Sequence, residues 1–215
     1  MDKRKFFVTV AGNIGSGKST LTRLISEKFE WIPFYESVAD NPYLKDFYAD
    51  MKRWSFNLQI YFLAHRFRIH KEITELGKSV IQDRSIYEDV EIFAKNLHKL
   101  GRMEDRDYET YTSLFTEMTH YLKHPDLLIY LRADIDTLLN HINMRGRDFE
   151  KNIEKKYLEE LNGSYEEWIK NYSFGKCLII ESDNIDFVKS DNDLSYIVEL
   201  IKKELFTDGP LFYSE

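Results

Sequence analysis

The stretch Gly12-Asn13-Ile14-Gly15-Ser16-Gly17-Lys18-Ser19 has a glycine, four further residues, and then Gly-Lys-Ser. That spacing suits a loop whose backbone N–H groups converge on phosphate oxygens, because glycine turns the chain without a Cβ in the way. A helix opening at Lys18 would point its positive end at the same anion. Lys18 could then reach the β- and γ-phosphates, and the Ser19 hydroxyl could hold Mg²⁺. The loop implies binding of a nucleoside triphosphate such as ATP. It does not by itself name the reaction.

Other residues could supply the rest of a phosphoryl transfer. Glu36 follows a predicted strand and would stand where ligands collect in a parallel sheet, within reach of an acceptor hydroxyl. Read alone, a glutamate after a strand is more often a solvated carboxylate. Asp83-Arg84 ends another predicted strand. There an acid can orient Mg²⁺ or its waters, and an arginine can offset phosphate charge, unless the two form only a surface pair. Arg145 and Arg147 flank Gly146 after a helical pattern, as a closing lid would need, or as a dipole-favoured basic helix end would have. Gln59 and Arg66 are seven residues apart on one helix face, and Asp89 and Phe93 are four apart on another. Gln59 suits a base edge and Phe93 a ring, while Asp89 could pair with Arg66. A polar contact between helices would use the same residues. His120 and His124 lack the intervening glutamate of a zinc helix, and Cys177 lies in an apolar run as an inert thiol.

The elements that must position these groups follow from periodicity. Apolar runs at 5–11, 31–35, 79–82, 127–131 and 177–181 predict strands. Helical patterns cover 18–29, 54–76, 86–100, 106–122, 135–144, 153–171 and 194–205. Continuous apolar strands alternating with helices predict a buried parallel α/β sheet. The 215 residues hold 9 Gly, 4 Pro and 1 Cys, which favours long helices and excludes an internal disulfide framework. A net charge of −7 disfavours a polymeric nucleic-acid or membrane-surface binder. No apolar stretch approaches the ~18 residues of a membrane helix. The expectation is a cytoplasmic protein with one domain over 1–206 and a tail over 207–215 without a role.

Taken together, GNIGSGKST, the ESV after the second strand, RWSFNLQIYFLAHRFR, DRSIYED and MRGRDFE followed by KYLEEL resemble the deoxyribonucleoside kinases. Within that family the likeness is strongest to the bacterial deoxyadenosine kinases. The resemblance runs from Phe6 to about Phe187. It implies a P-loop kinase fold with a five-stranded parallel sheet, an arginine-containing lid, and a homodimer formed through helices. It implies transfer of the ATP γ-phosphate, with Mg²⁺, to the 5′-hydroxyl of a deoxynucleoside, deoxyadenosine above all. By the same resemblance Gly12–Thr20 cradle the donor phosphates and Glu36 is the base on the 5′-hydroxyl. Tyr48 and Glu150 hold the 3′-hydroxyl, and Gln59 reads the nucleobase beside Arg66, Asp89 and Phe93. Arg84, Arg145 and Arg147 meet phosphates, Asp186 and Phe187 lie near the donor adenine, and Ser19 and Asp83 serve the metal. The end-product deoxynucleoside triphosphate is implied as an inhibitor.

This chain also departs from the animal enzymes. Asp83 replaces a glutamate, which leaves its role open between metal ligation and proton acceptance. Ser37 replaces a proline, Leu58 an aromatic, and His141 a lid arginine. A thymidylate-kinase-like monophosphate kinase would share the loop, the Asp-Arg pair and the lid, but would need further cations for an acceptor phosphate. A non-catalytic nucleotide switch would have no use for an acceptor base.

Overall fold

The protein is described from a computed structural model, over residues 4–35, 41–147, 150 and 153–206. Five parallel strands form one sheet in the order β2-β3-β1-β4-β5, namely β1 (Phe7–Gly12), β2 (Ile32–Phe34), β3 (Val80–Asp83), β4 (Leu127–Arg132) and β5 (Lys176–Glu181). β1, β3 and β4 are buried along nearly their whole length, so each reads as a largely apolar run, whereas the edge strands β2 and β5 are only partly covered. β1 is central and pairs with β3 on one side (Val8 opposite Ile81) and β4 on the other (Val10 opposite Ile129). The chain therefore leaves β1 at the point where strand order reverses, and ligands of such sheets collect in the crevice at that point.

Side chains alternate across the sheet. Leu127, Ile129 and Leu131 of β4 pack with Leu21 and Ile25 of α1 (Lys18–Phe29) and Ile197 and Ile201 of α9 (Asp191–Phe206). Leu128 and Tyr130 face the opposite layer. That layer includes α3 (Met51–Leu76), α6 (Asp105–Thr119), α7 (Ile135–Arg145) and α8 (Lys155–Lys170). Fully burying each such aliphatic side chain stabilises the fold by about 1.5–3 kcal/mol.

Two elements depart from the periodicity reading. A short helix α2 (Leu44–Ala49) precedes α3, and α3 begins at Met51, where the Asp50 carboxylate accepts from Arg53 N at 3.0 Å. That N-cap sets the start of the helix. The helical run after β3 is α4 (Ile86–Glu88), a π-helical turn over Asp89–Ala94, and α5 (Lys95–Lys99). Lys95 N donates to Val90 O, five residues back, which marks the widened turn. Among the described residues no helix is long and apolar enough to cross a membrane. The tail over 207–215 lies outside the described residues.

Candidate functional site

The parallel strands all end on one side of the sheet, and the chemically interesting residues gather there. After β1 the loop turns through glycines at positive φ: +85° at Gly15 and +93° at Gly17, which caps α1. A Cβ on Gly15 would sit 2.7 Å from Leu138 O, so this turn also needs the missing side chain. Lys18 Nζ donates to Asn13 O at 2.8 Å, bridging the loop it would close over a phosphate. The Asn13 amide is used internally, donating to Leu158 O at 2.9 Å and Asn162 Oδ1 at 2.6 Å. Gly12 and Asn13 thus brace the loop from behind. Ile14 lines an inner cavity, Ser16, Gly17 and Thr20 line an outer cleft, and Gly15, Lys18 and Ser19 line both.

The end of β3 supplies the next layer. Ser19 Oγ donates to Asp83 Oδ2 at 2.5 Å, while Asp83 Oδ1 is buried with no hydrogen-bond partner among the described residues. A carboxylate oxygen left unsatisfied beside a hydroxyl is a donor set that fits a hard divalent cation. Arg84 follows at φ +65°, a left-handed conformation that a non-glycine residue holds only when its surroundings enforce it. Its N–H donates to Val10 O at 3.0 Å, and its carbonyl accepts from Arg66 Nη1 at 3.0 Å. Its guanidinium lies 4.5 Å from the centre of the Phe93 ring.

The inner cavity encloses about 110 Å³ between α2, α3 and the π-helical turn. Leu44, Phe47, Leu58 and Phe62 give it an apolar wall, with Tyr48 at the edge. Gln59 is buried in that wall, and its Oε1 has no hydrogen-bond partner among the described residues. Asp89 and Phe93 line the opposite side. Arg66 Nε lies 2.6 Å from Asp89 Oδ2, with each side chain 2% exposed. The sequence left open whether this pair serves a ligand or joins two helices. It joins α3 to the π-helical turn, Asp89 faces the cavity, and Arg66 stands behind it.

The outer cleft is larger, about 830 Å³, and runs from the phosphate loop between α7 and residues 182–189. Arg145 and Arg147 line both spaces, and both reach Glu150. Arg145 Nη2 lies 2.5 Å from Oε2 and Arg147 Nη1 3.3 Å from Oε1. Glu150 and Tyr48 share the inner cavity. Asp186 and Phe187 line the outer cleft. The Asp186 carboxylate accepts from Val188 N and Lys189 N, and these bonds hold its pKa below the ordinary aspartate value. His141, at the position where the resemblance expects a lid arginine, donates from Nδ1 to Gly15 O at 2.7 Å. Glu36 lies outside the described residues.

Sequence reasoning missed the groups that hold Arg84. Tyr165 Oη accepts from Arg84 Nη1 at 2.8 Å and donates to Glu88 Oε1 at 2.7 Å. Glu88 has a legible signal, since Ser85 and Glu88 form a capping box at the start of α4. Tyr165 has none, because it comes from a helix more than seventy residues away. Among the described residues no group of three or more His, Cys, Asp or Glu could hold a metal. His124 instead shares a hydrogen bond with Tyr87 Oη. Burial pushes the Cys177 thiol up to about 11, so it stays protonated and unreactive near neutrality.

Comparison with known proteins gives this arrangement a context. Residues 8–206 match a sequence model described as deoxynucleoside kinase. The deoxyadenosine/deoxycytidine kinase of Bacillus subtilis is 46% identical over 196 residues, covering 90% of each chain. The deoxyguanosine kinase of the same organism is 37% identical over 205 residues, covering 92% of this chain and 96% of the relative. Among solved structures, M. mycoides deoxyadenosine kinase with bound dATP superposes with a TM-score of 0.81 at 31% identity. It covers 92% of this chain and 99% of that one.

Proposed function

This chain belongs to the deoxynucleoside kinase family, and from that premise we propose that it transfers the γ-phosphate of ATP to the 5′-hydroxyl of deoxyadenosine, with deoxycytidine and deoxyguanosine as further acceptors. The observation that carries this reading is that the inner cavity and the outer cleft meet at Gly15, Lys18 and Ser19. A triphosphate in the outer cleft would present its terminal phosphate at the mouth of the cavity that Gln59, Asp89 and Phe93 line.

On this reading Lys18, the loop N–H groups and Arg84 stabilise charge on the transferring phosphoryl group. Glu36 accepts the proton of the 5′-hydroxyl, and Tyr48 and Glu150 orient the sugar. Ser19 and Asp83 would hold Mg²⁺, which when bound neutralises phosphate charge. Gln59 reads the base. Its orphaned Oε1 needs a donor, and the exocyclic amine of adenine or cytosine is one. Phe93 stacks on the base, and Arg66–Asp89 closes its far edge. Arg145 and Arg147 close on the donor phosphates, with Asp186 and Phe187 beside the donor base.

The same reading makes the end-product deoxynucleoside triphosphate an inhibitor. Its base would take the Gln59 pocket and its phosphates would reach back into the loop, competing with both substrates. We also propose one kinase domain over 1–206 and a cytoplasmic homodimer formed through helices, where Leu114 of α6 is an exposed apolar side chain.

Thermal shift tests the acceptor. With ATP–Mg²⁺ present, deoxyadenosine should raise the melting temperature and dTMP should not. Stabilisation by dTMP and not by any deoxynucleoside would support a monophosphate kinase instead.

A further inference from the structure

Arg84 is the cation closest in sequence to Asp83, yet it cannot place itself. Its backbone is held at φ +65°, and its side chain is long and flexible. Two buried groups, neither of which lines either cavity, fix where the guanidinium sits. Glu88 is 0% exposed and is the common acceptor of four donors. They are Ser85 N at 2.9 Å, Gly12 N at 3.4 Å, Arg84 Nη1 at 3.4 Å and Tyr165 Oη at 2.7 Å. Tyr165, also fully buried, completes a triangle by accepting from the same Arg84 nitrogen at 2.8 Å. Arg84 Nη2 then donates to Gly12 O at 3.4 Å. Both backbone polar groups of the first loop glycine are therefore tied to this one cluster.

From this geometry we infer that Glu88 and Tyr165 are positioning residues that bolt the Arg84 guanidinium to the phosphate loop, so that cation and loop meet the transferring phosphoryl group in fixed register. The inference rests on the kinase reading above. A carboxylate suits the place because every contact it makes there is with a donor. An amide would turn N–H groups toward N–H groups. Burial and the neighbouring Glu88 carboxylate keep the Tyr165 phenol protonated, so it can donate to Glu88 while accepting from Arg84. Cation placement matters steeply, since an error of about 1 Å in a catalytic group costs roughly 10²-fold in rate.

The test is steady-state phosphorylation of deoxyadenosine by ATP, with melting temperatures measured in parallel. The variants are Tyr165→Phe, Glu88→Gln, Arg84→Lys, and each of the first two combined with Arg84→Lys. Tyr165→Phe removes one hydroxyl and leaves Glu88 beside Arg84, so it decides the matter if Glu88→Gln does not fold. It should lower kcat by about 10-fold, and Glu88→Gln by about 10²-fold, with KM for both substrates within about twofold. In the Arg84→Lys background the same changes should cost less than about twofold, because the group they position is gone. Costs that multiply in full in that background, or an unchanged kcat in Tyr165→Phe, would overturn the inference and leave the pair as a fold staple. A wild-type protein inert toward every deoxynucleoside would overturn the kinase reading, and the inference with it.

Discussion

The inner and outer walls of the cleft both present arginines paired with carboxylates, but they are built differently. On the inner wall Arg66 and Asp89 are each 2% exposed, and Arg84 is held against a Glu88 that is completely buried. On the outer wall the Arg145 and Arg147 side chains are 34% and 38% exposed and share the carboxylate of Glu150. Buried ion pairs keep their geometry because breaking one partner leaves an uncompensated charge out of water. Glu150 itself is only 5% exposed, but the two guanidiniums that share it reach water, so each is held less rigidly than Arg66 or Arg84 and can exchange partners. The inner cations are thus set in place before any ligand arrives, and the outer pair is suited to leave Glu150 for a donor phosphate.

The largest effects should come from the two residues proposed to act on the transferring phosphoryl group and the acceptor hydroxyl. Lys18→Ala should lower kcat by roughly 10²–10³-fold, as expected when one preorganised donor to a charged transition state is lost. Glu36→Gln should cost roughly 10²–10⁴-fold if Glu36 is the base, as proposed. Near wild-type turnover in Glu36→Gln, with Lys18→Ala inactive, would show that Glu36 is not the base.

The Arg66–Asp89 pair gives a sharper test of the inner wall. Asp89→Ala alone should destabilise by about 3–5 kcal/mol, because it leaves a buried guanidinium charge without its carboxylate. Arg66→Met with Asp89→Ala should recover much of that loss, since neither charge remains buried. The same double variant should raise kcat/KM for thymidine relative to deoxyadenosine. An unchanged ratio would make the pair a contact between α3 and the π-helical turn and nothing more.

On the outer wall the prediction reverses. Arg147→Ala should shift the melting midpoint by less than about 1 kcal/mol in stability, while raising KM for ATP in a salt-dependent way. A stability loss as large as that of Asp89→Ala would erase the distinction between the walls.

What the sequence made legible tracks how local each feature is. The phosphate loop, β1 and α1 form one contiguous segment, and their spacing alone located Gly15, Lys18 and Ser19. Gln59 and Arg66 were placed on one face by helical period. α2 went unread because six residues, Leu44–Ala49, are too few to show a period, and no side chain caps the helix. The π-helical turn over Asp89–Ala94 also left no trace, since one widened turn barely changes which residues are apolar. The Arg84–Glu88–Tyr165 triangle depends on a contact of α8 with Arg84, just after β3, and with α4 that no local pattern encodes.

The smallest predicted effect lies away from the cleft. His70 on α3 is fully buried, and its Nε2 donates to Lys123 O at 2.8 Å. Desolvation lowers its pKa below 6.5, only partly offset by that bond, with nearby His124 lowering it further. The unfolded chain therefore binds the proton more readily. Stability should be full above about pH 6.5 and decline as pH falls from there toward the depressed folded value. His70→Asn should flatten that part of the melting-temperature profile. An equally steep profile in the variant would assign the acid sensitivity to other groups.

The most direct measurement is a competition. The protein is given ATP–Mg²⁺ and an equimolar mixture of the four deoxynucleosides, isotope-labelled, and their unlabelled 5′-monophosphates, and the products are resolved by mass. Early formation of labelled dAMP, followed by smaller amounts of labelled dCMP and dGMP, with ADP as the co-product and no deoxynucleoside diphosphate formed, is the predicted result. Accumulation of a deoxynucleoside diphosphate from its monophosphate while the deoxynucleosides remain unconsumed would contradict it.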